Sequence, residues 1–526
     1  MIVNKALYPV SSTLQTITNM HKRLENLQLQ LATGNRYNTL AEMGRDRVHH
    51  LNLEARLDRI SGYQANILTV ENRLSFYTNG LERLDEIEAD ARALAVPGAY
   101  GTDGINLANV KNQATNLLKE VIDVLNTDIT GQYIFGGNAS DRQPVTLYDE
   151  IMNGANGKAG FLQVRDERLA ADMANGGRLI VDNTVADTVS LTEDGDHLFG
   201  FKLSSITGGV SGSGAPYATV TNIAAPFDPA NPVANAVSVQ FTDASALKPG
   251  DEITIGLTYP DNRARTETIT LKATDQDPPP AGSYLISTDP DPAVANAETA
   301  QNFQIALEAE LGRMVDAEMM SASTYAAADN FFNGTGEPVM RTAGGPPADQ
   351  LLADTDYDTT VRWYNGQDSA NPRQEVSANV DENTRVHYGV QANETGFAEL
   401  VKGLAVFAAT DFLPLFDENG DRIEENAARY DAMVDIQRSR LSENNNAKPG
   451  SIEGITMQLG LAASTVNTVK ERHTQYTAQL ETMLADISVA PREEVAMMLL
   501  TLQTQLQASY QATAMASQLT LVNYLR

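Results

Sequence analysis

Long apolar stripes at helical spacing occupy both ends of this chain and stop at its middle, and no other property of the sequence restricts the fold as much. Residues 1–130 and 394–526 are nearly free of proline, whereas 146–390 are rich in Gly, Pro, Asp and Thr, with short alternating runs. A period near 3.5 residues makes a helix with one sticky face, and a period of two makes a half-buried strand. The expected fold is therefore α+β and multidomain. Its N- and C-terminal segments form a long antiparallel helical bundle or coiled coil, with a β-rich central domain inserted between them. On this reading 1–40 and 490–526 are terminal arms, 41–145 and 391–489 are the two halves of a bundle, and 146–390 is the inserted outer domain.

The first arm reads Val10, Leu14, Ile17, His21, Leu24, Gln28, Leu31, a 4-3-4-3 spacing widened by Met20 and Leu27. Such a repeat is a seam in which apolar knobs meet a facing helix. Thr33-Gly34-Asn35 supplies the stop, because glycine accepts the left-handed conformation at a helix end. A second stripe runs from about Arg45 to Leu94 through Leu53, Leu57, Ile60, Ile67, Leu74, Leu81, Leu84, Ile87 and Ala91. About fifty residues at 1.5 Å each make a rod of roughly 75 Å. Pro97-Gly98 and Gly101-Thr102-Asp103-Gly104 break it. A third helix carries Leu107, Val110, Ala114, Leu117, Val121, Leu125 and Ile129. Gly131 ends it, and Gln132 to Asn138 reads as a strand entering a tight turn.

The period then changes. Val237/Val239/Phe241, Ile253/Ile255/Leu257/Tyr259 and Ile269/Leu271 alternate, with Lys248-Pro249-Gly250-Asp251 as a turn between two of these runs. Asp277-Pro278-Pro279-Pro280 and Asp289-Pro290-Asp291-Pro292 exclude central strand or helix. One amphipathic helix, about Ala297 to Met314, interrupts the region. Helical spacing returns with Phe397, Leu400, Val401, Leu404 and Phe407. After an acidic loop at Asp417-Glu418-Asn419-Gly420-Asp421, helix resumes to about Asn444. The cleanest heptad follows, Ile452, Ile455, Leu459, Ala462, Val466, Val469, His473, Tyr476, Leu480. Pro491 restarts the helix, and the last arm carries Val495, Leu499, Leu502, Leu506, Ser509, Thr513 and Ala516.

The formal charge, 38 − 68 = −30, is spread along the chain. It argues against nucleic acid and against anionic membranes as partners, since both repel an acidic surface. With no cysteine, disulfides, thiolate metal sites and cysteine nucleophiles are excluded. Neither a signal-peptide apolar region nor a run of about eighteen apolar residues is present, so no cleaved leader or membrane span is expected.

Few residues suggest chemistry. The six histidines, His21, His49, His50, His197, His387 and His473, form no metal-ligand spacing and read as solvated or seam-filling. The 417–421 loop lacks the alternating oxygens and the closing Glu of a calcium loop, so it reads as an acidic turn. Gly208-Gly209-Val210-Ser211-Gly212-Ser213-Gly214 has no lysine or helix start after it, and reads as a flexible surface loop. Trp363 reads as a core residue at a strand edge, not as a sugar-stacking platform. No catalytic residue, cofactor site or metal site is expected, and no enzyme.

Three patches carry a resemblance. Leu29-Gln30-Leu31-Ala32-Thr33-Gly34-Asn35-Arg36 resembles an "L-x-T-G-K-R" element. Asn126-Thr127 through Gly131-Gln132-Tyr133-Ile134-Phe135-Gly136-Gly137 resembles "N…G-R-Y-I-F-x-G". Leu502 to Tyr510 and Leu519 to Leu525 resemble a terminal helix. All three resemble the flagellin-like family of bacterial axial proteins, in its type-3 hook-associated branch. Trp363-Tyr364-Asn365-Gly366 and Tyr388 to Glu394 are similar to versions from α-class bacteria. Where the family has a "P-S-D-D-P" type loop, this chain has Thr39-Leu40-Ala41-Glu42-Met43-Gly44.

The resemblance implies a structural protein joining hook to filament and templating filament assembly, extracellular, and exported without a cleaved signal peptide. It implies self-association in a ring, a neighbouring hook-associated protein, flagellin or filament subunits, and a cytoplasmic export chaperone on the C-terminal arm. The assembly interface expected from it is Val10, Leu14, Ile17, Leu24 and Leu31 with Leu499, Leu502, Leu506, Leu519, Val522 and Leu525. The alternatives are a flagellin proper, a cytoplasmic coiled-coil scaffold, or an enzyme sited in 146–390.

Overall fold

Among the described residues there are ten helices of eight or more residues: α1 (Tyr8–Thr33), α2 (Asp46–Ala93), α3 (Leu107–Leu125), α4 (Phe161–Asp172), α5 (Pro292–Met314), α6 (Met320–Phe331), α7 (Thr395–Ala409), α8 (Glu424–Arg440), α9 (Ile452–Ser488) and α10 (Arg492–Tyr524). They come from a computed structural model that describes residues 8–98, 107–222, 227–259, 266–334, 337–412, 424–442 and 445–524. The breaker at 101–104 and the acidic loop at 417–421 lie outside the described residues. Contacts divide the chain into two units. The first is Met1–Asn72, Ala378–Val386 and Ala462–Arg526, and the second is Arg73–Ser377 and His387–Leu461.

Charge divides with them. The first unit has 13 basic and 13 acidic residues, 13 − 13 = 0. The second has the other 25 and 55, 25 − 55 = −30, which is the whole net charge of the chain.

In the first unit, α1 runs against α10 and α2 runs against α9. Leu53, Ile60 and Leu480 form the buried centre of the second pair, with Leu57, Leu484 and Ile487 around them. Arg56 donates to the Tyr476 hydroxyl (2.7 Å), and Lys470 pairs with Glu71 (2.8 Å). A hairpin of Ser377–Asp381 with Thr384–His387 contributes residues 378–386. His473 fills its seam position by bonding the Val380 carbonyl (2.9 Å) and stacking on Tyr63.

In the second unit, α7 is the central helix. Phe397, Leu400, Val401, Leu404 and Phe407 are buried as the stripe predicts, but so are Ala398, Gly403, Ala405, Val406, Ala408 and Ala409. A helix buried all round is a bundle core. It packs on α3 and α6. The later part of α2 shows buried residues at Val70, Leu74, Tyr77, Leu81, Leu84, Glu88 and Ala91, an unbroken 4-3 repeat with a carboxylate in one of its seam positions.

The β-rich body has two four-stranded sheets. One has the order β1 (Leu179–Asp182), β2 (Thr188–Glu193), β5 (Ala236–Phe241), β4 (Ala218–Asn222). The other has the order β8 (Ser283–Leu285), β7 (Thr266–Thr274), β6 (Glu252–Thr258), β3 (Lys202–Thr207). All pairings are antiparallel except β8 with β7. Val237, Val239, Phe241, Ile253, Ile255, Leu257, Ile269 and Leu271, read as alternating, all point into one core shared with Phe303, Leu307 and Leu311 of α5.

Helix α5 begins at Pro292, five residues before the expected Ala297. Asp291 caps it by accepting from Ala293 N–H, and proline is tolerated in a first turn because its missing N–H has no partner there. The helix also does not stop at Met314. A π-turn at Val315–Met319 joins it to α6, so one helical run links the sheets to the bundle. The short helix Tyr148–Asn153 and α4, inside the segment read as β-rich, were not expected either.

Burial pushes the Glu88 carboxyl up to about 7, opposed by Arg92 and reinforced by Glu453 and Asp85. Its folded value lies above the unfolded one. The proton-linked stability is therefore complete below the ordinary carboxylate range and is lost as pH rises through about 7. Glu88→Gln, permanently neutral, should raise the thermal midpoint at about pH 8 and leave it unchanged at about pH 5, as calorimetry at the two values will show.

Candidate assembly surface

The first and last helices meet along one short apolar seam. Leu27, Ala490, Val495 and Leu502 are buried in it, with Met20, Leu24 and Leu499 packed against them. Leu506 is also buried. At its far end His21 Nε2 and the Tyr510 hydroxyl are hydrogen-bonded. Of the expected interface, the structure brings together Leu24, Leu499 and Leu502. Ile17 is half-buried, while Leu14 and Leu31 are 55% and 38% exposed. The side chains of Val10, Leu519 and Val522, and all of Leu525, lie outside the described residues. Leu27, read only as widening the stripe, is buried where strict 4-3 counting gave Gln28, which is exposed.

Helix α10 is apolar on a second side. Met497, Leu500 and Met515 are exposed. At about 100° per residue they fall on the face opposite Val495, Leu499, Leu502 and Leu506. With Leu14 and Leu31 on α1, the pair presents apolar surface outward as well as inward. Among the described residues few side chains of these two long helices are buried, Leu27, Val495, Leu502 and Leu506, so much of their apolar surface remains for other partners.

The register of the pair is set where both helices break. Gly34, at φ +75°, ends α1. Arg36 N–H then donates to Ser488 O (2.7 Å) and Ala490 N–H donates to Gly34 O (2.9 Å), a two-residue β-bridge between Asn35 and Val489. Gln30 Nε2 holds the Arg36 carbonyl (2.8 Å), and Arg36 Nη1 reaches Asp486 O (3.2 Å). The Thr33-Gly34-Asn35-Arg36 patch is thus a clasp on the α9–α10 junction. The following loop is closed by Glu42, which accepts from Asn38 N–H (3.0 Å).

The Gly131–Gly137, Trp363–Gly366 and Tyr388–Glu394 patches converge within the second unit. A tight hairpin (Asp128–Ile129 with Gln132–Tyr133) turns at Gly131, so pairing begins before the glycine and not after it. Phe135 is fully buried, edge-on to Tyr77 and Phe397. Tyr77 donates to Ile134 O (2.7 Å). The outgoing strand bonds the returning one through Gly137 N to Val390 O (3.0 Å), Ala392 N to Phe135 O (2.8 Å) and Gln367 N to Gly136 O (3.0 Å). A side chain on Gly136 would meet the Ala139 carbonyl, which accounts for glycine there. Asn365 N donates to Pro144 O (2.7 Å). Buried Gln391 and the Arg373–Glu394 ion pair complete this neck. Burial raises the Glu394 carboxyl, against Arg373, which lowers it.

The remaining candidates find ordinary places, with one exception. Trp363 is buried edge-on to Phe332, its Nε1 donating to Asn333 O (3.1 Å). The Gly208–Gly214 loop is a surface turn closed by Ser211 N to Ala215 O (2.8 Å) and Gly214 N to Ser211 O (2.7 Å). His197 is the exception, neither solvated nor in a seam. It is buried in the body, accepting from Phe199 N–H at Nδ1 and facing Asp194 through Nε2 (2.6 Å). Burial pushes its imidazole below the usual value, with Asp194 pulling the other way. Among the described residues no group of three or more His, Asp or Glu could hold a metal, and no helix is long and apolar enough to cross a membrane.

Leu27→Ala and Leu502→Ala should each cost about 2 kcal/mol of terminal-pair stability. Leu14→Ala and Leu31→Ala should cost within about 0.5 kcal/mol. Hydrogen exchange over α1 in the isolated chain measures both. Phe135→Ala should lower the stability of the second unit by about 3–5 kcal/mol, read by thermal unfolding and by faster proteolysis at the 126–146 segment.

Residues 5–140 match the family model described as the bacterial flagellin N-terminal helical region. That span contains α1, the clasp, α2, α3 and the outgoing strand of the neck. Among solved structures, the chain is similar to the crystal structure of flagellar hook associated protein-3 from Legionella pneumophila. The identity is 14%, over 85% of this chain and 98% of that one, with a TM-score of 0.22. No curated protein matches the sequence. Residues 5–140 of this chain are therefore similar to the N-terminal helical region of bacterial flagellin.

Proposed function

We propose that this chain sits at the junction between hook and filament, self-associates in a ring there, and presents filament subunits with a surface on which to add. The observation that carries this reading is the terminal pair. Its helices bury one seam and expose a second apolar face, Met497, Leu500 and Met515 with Leu14 and Leu31, inside and beside a flagellin-type region. Such a face is stable only when covered. The arms, 1–40 and 490–526, are then the layer that packs between copies, and the β-rich body is an outer domain. Its role is mechanical and non-enzymatic.

Export without a cleaved leader and a cytoplasmic chaperone covering the C-terminal arm belong to the same reading. An apolar arm with two sticky faces must be kept apart from other copies until it is assembled. A neighbouring hook-associated protein on one side and flagellin on the other would be its assembly partners. The Gly-Gln-Tyr-Ile-Phe-Gly-Gly patch favours the junction over a flagellin role.

Gold-antibody labelling of purified hook–filament particles tests position. Label in a narrow band between hook and filament is expected, and label running along the filament would make the chain a flagellin. Leu506→Asp or Leu14→Asp should abolish incorporation while the body stays folded by circular dichroism. Normal motility and normal junction occupancy in such a strain would overturn the assignment of the arms.

A further inference from the structure

Lys202, Glu193 and Asn235 are buried together in the two-sheet body, at 1%, 5% and 5% exposure. Lys202 opens β3 in one sheet, and its Nζ lies 2.9 Å from Oε2 of Glu193, the last residue of β2 in the other sheet. Glu193 Oε1 accepts from Leu203 N–H (2.8 Å). Asn235 immediately precedes β5. Its carbonyl accepts from Glu193 N–H (3.0 Å), one step beyond the Thr192–Ala236 pair of the ladder.

Directly opposed residues of an antiparallel pair send their side chains to the same face, with Cβ atoms about 4.5–5.5 Å apart. The Asn235 carboxamide and the Glu193 carboxylate therefore share a face. Asn235 Nδ2 also reaches across to the other sheet and donates to Leu203 O (3.3 Å), in the residue after Lys202. The amine and the carboxamide thus lie on either side of the Glu193 carboxylate and the Leu203 backbone, with the Phe227 ring 5.9 Å from Nζ.

We propose that this triad is a modification site that forms an intramolecular isopeptide bond between Lys202 Nζ and Asn235 Cγ, promoted by Glu193. The ammonium passes one proton to the Glu193 carboxylate along their hydrogen bond, which leaves a neutral amine and a neutral acid. Keeping two charges in a buried site is costly, so exchanging them for neutral groups is favoured. The Nζ lone pair adds to Cγ. Glu193 protonates the departing Nδ2 and takes back the proton shed by the attacking nitrogen. The Cγ–Nδ2 bond breaks, a Cγ–Nζ amide remains, and one ammonia leaves, with no oxidant required. The product joins the start of β3 to the residue before β5 and so staples the two sheets, in a chain that has no cysteine to do so.

Intact mass and peptide mapping of the full purified chain decide it. The expected result is a chain lighter by one ammonia, with a branched peptide linking the Lys202 and Asn235 segments. The Glu193→Gln chain should keep the full sequence mass and give the two peptides separately. Asn-Gly steps such as Asn156-Gly157 also lose ammonia on cyclising, so the branched peptide is the deciding readout. Wild-type peptides recovered separately would overturn the bond and leave an ordinary buried ion pair. A branched peptide at wild-type yield in Glu193→Gln would overturn the role given to Glu193.

Discussion

Everything in the first unit depends on the two ends of the chain finding each other in one register. Apolar seams alone leave that register loose, because a heptad repeat slid by one heptad still presents a stripe. The clasp removes the freedom. Backbone bonds between Gly34–Arg36 and Ser488–Ala490 can form at one alignment only, where both helices break together. From that fixed point α1 runs back along α10, and α2 runs back along α9. The His21–Tyr510 and Lys470–Glu71 contacts then follow as consequences of spacing.

The second unit solves a different problem, that of leaving a helical bundle and returning to it. Two crossings of the chain must satisfy their backbone polar groups where helices end, or the exposed N–H and C=O groups cost stability. The neck does this by bonding the crossings to each other, Gly136 to Gln367 and Phe135 to Ala392, with Phe135 pinned between Tyr77 and Phe397. The patches around Gly131–Gly137, Trp363–Gly366 and Tyr388–Glu394, far apart in sequence, are one structural element.

Much of this was legible in the sequence because packing leaves a periodic trace. The α2 and α9 heptads and the β5, β6 and β7 alternations appear in the structure as buried rows. Where periodicity carried no trace, reading failed for physical reasons. Helix α6 is built from Ser, Thr and Ala, which allow close packing but draw no apolar stripe. Its buried hydroxyls are satisfied, Ser321 by Ala317 O and Thr324 by Met320 O one turn back and Ser323 by the Asp172 carboxylate, and a polar-looking run is thus a core helix. Glu88 was passed over because a carboxylate does not register as a seam residue. Leu27 is buried in place of its neighbour Gln28, and Leu31 stays exposed because the seam is short and the helix ends at Gly34. The outward face of α10, Met497, Leu500 and Met515, forms no continuous heptad and so leaves no stripe of its own in the sequence.

The division of charge has a kinetic meaning. The unit that carries the packing seams has no net charge with which to steer an approach, so docking through it alone would proceed at the unsteered rate of about 10⁵–10⁶ M⁻¹s⁻¹. The other unit carries the whole net charge of −30, and two copies repel one another through that field. Its reach is the Debye length, about 30 Å in dilute salt and about 8 Å at physiological strength. Copies of the chain therefore repel one another through the unit that holds the β-rich body, and the surrounding salt acts as the throttle on that repulsion.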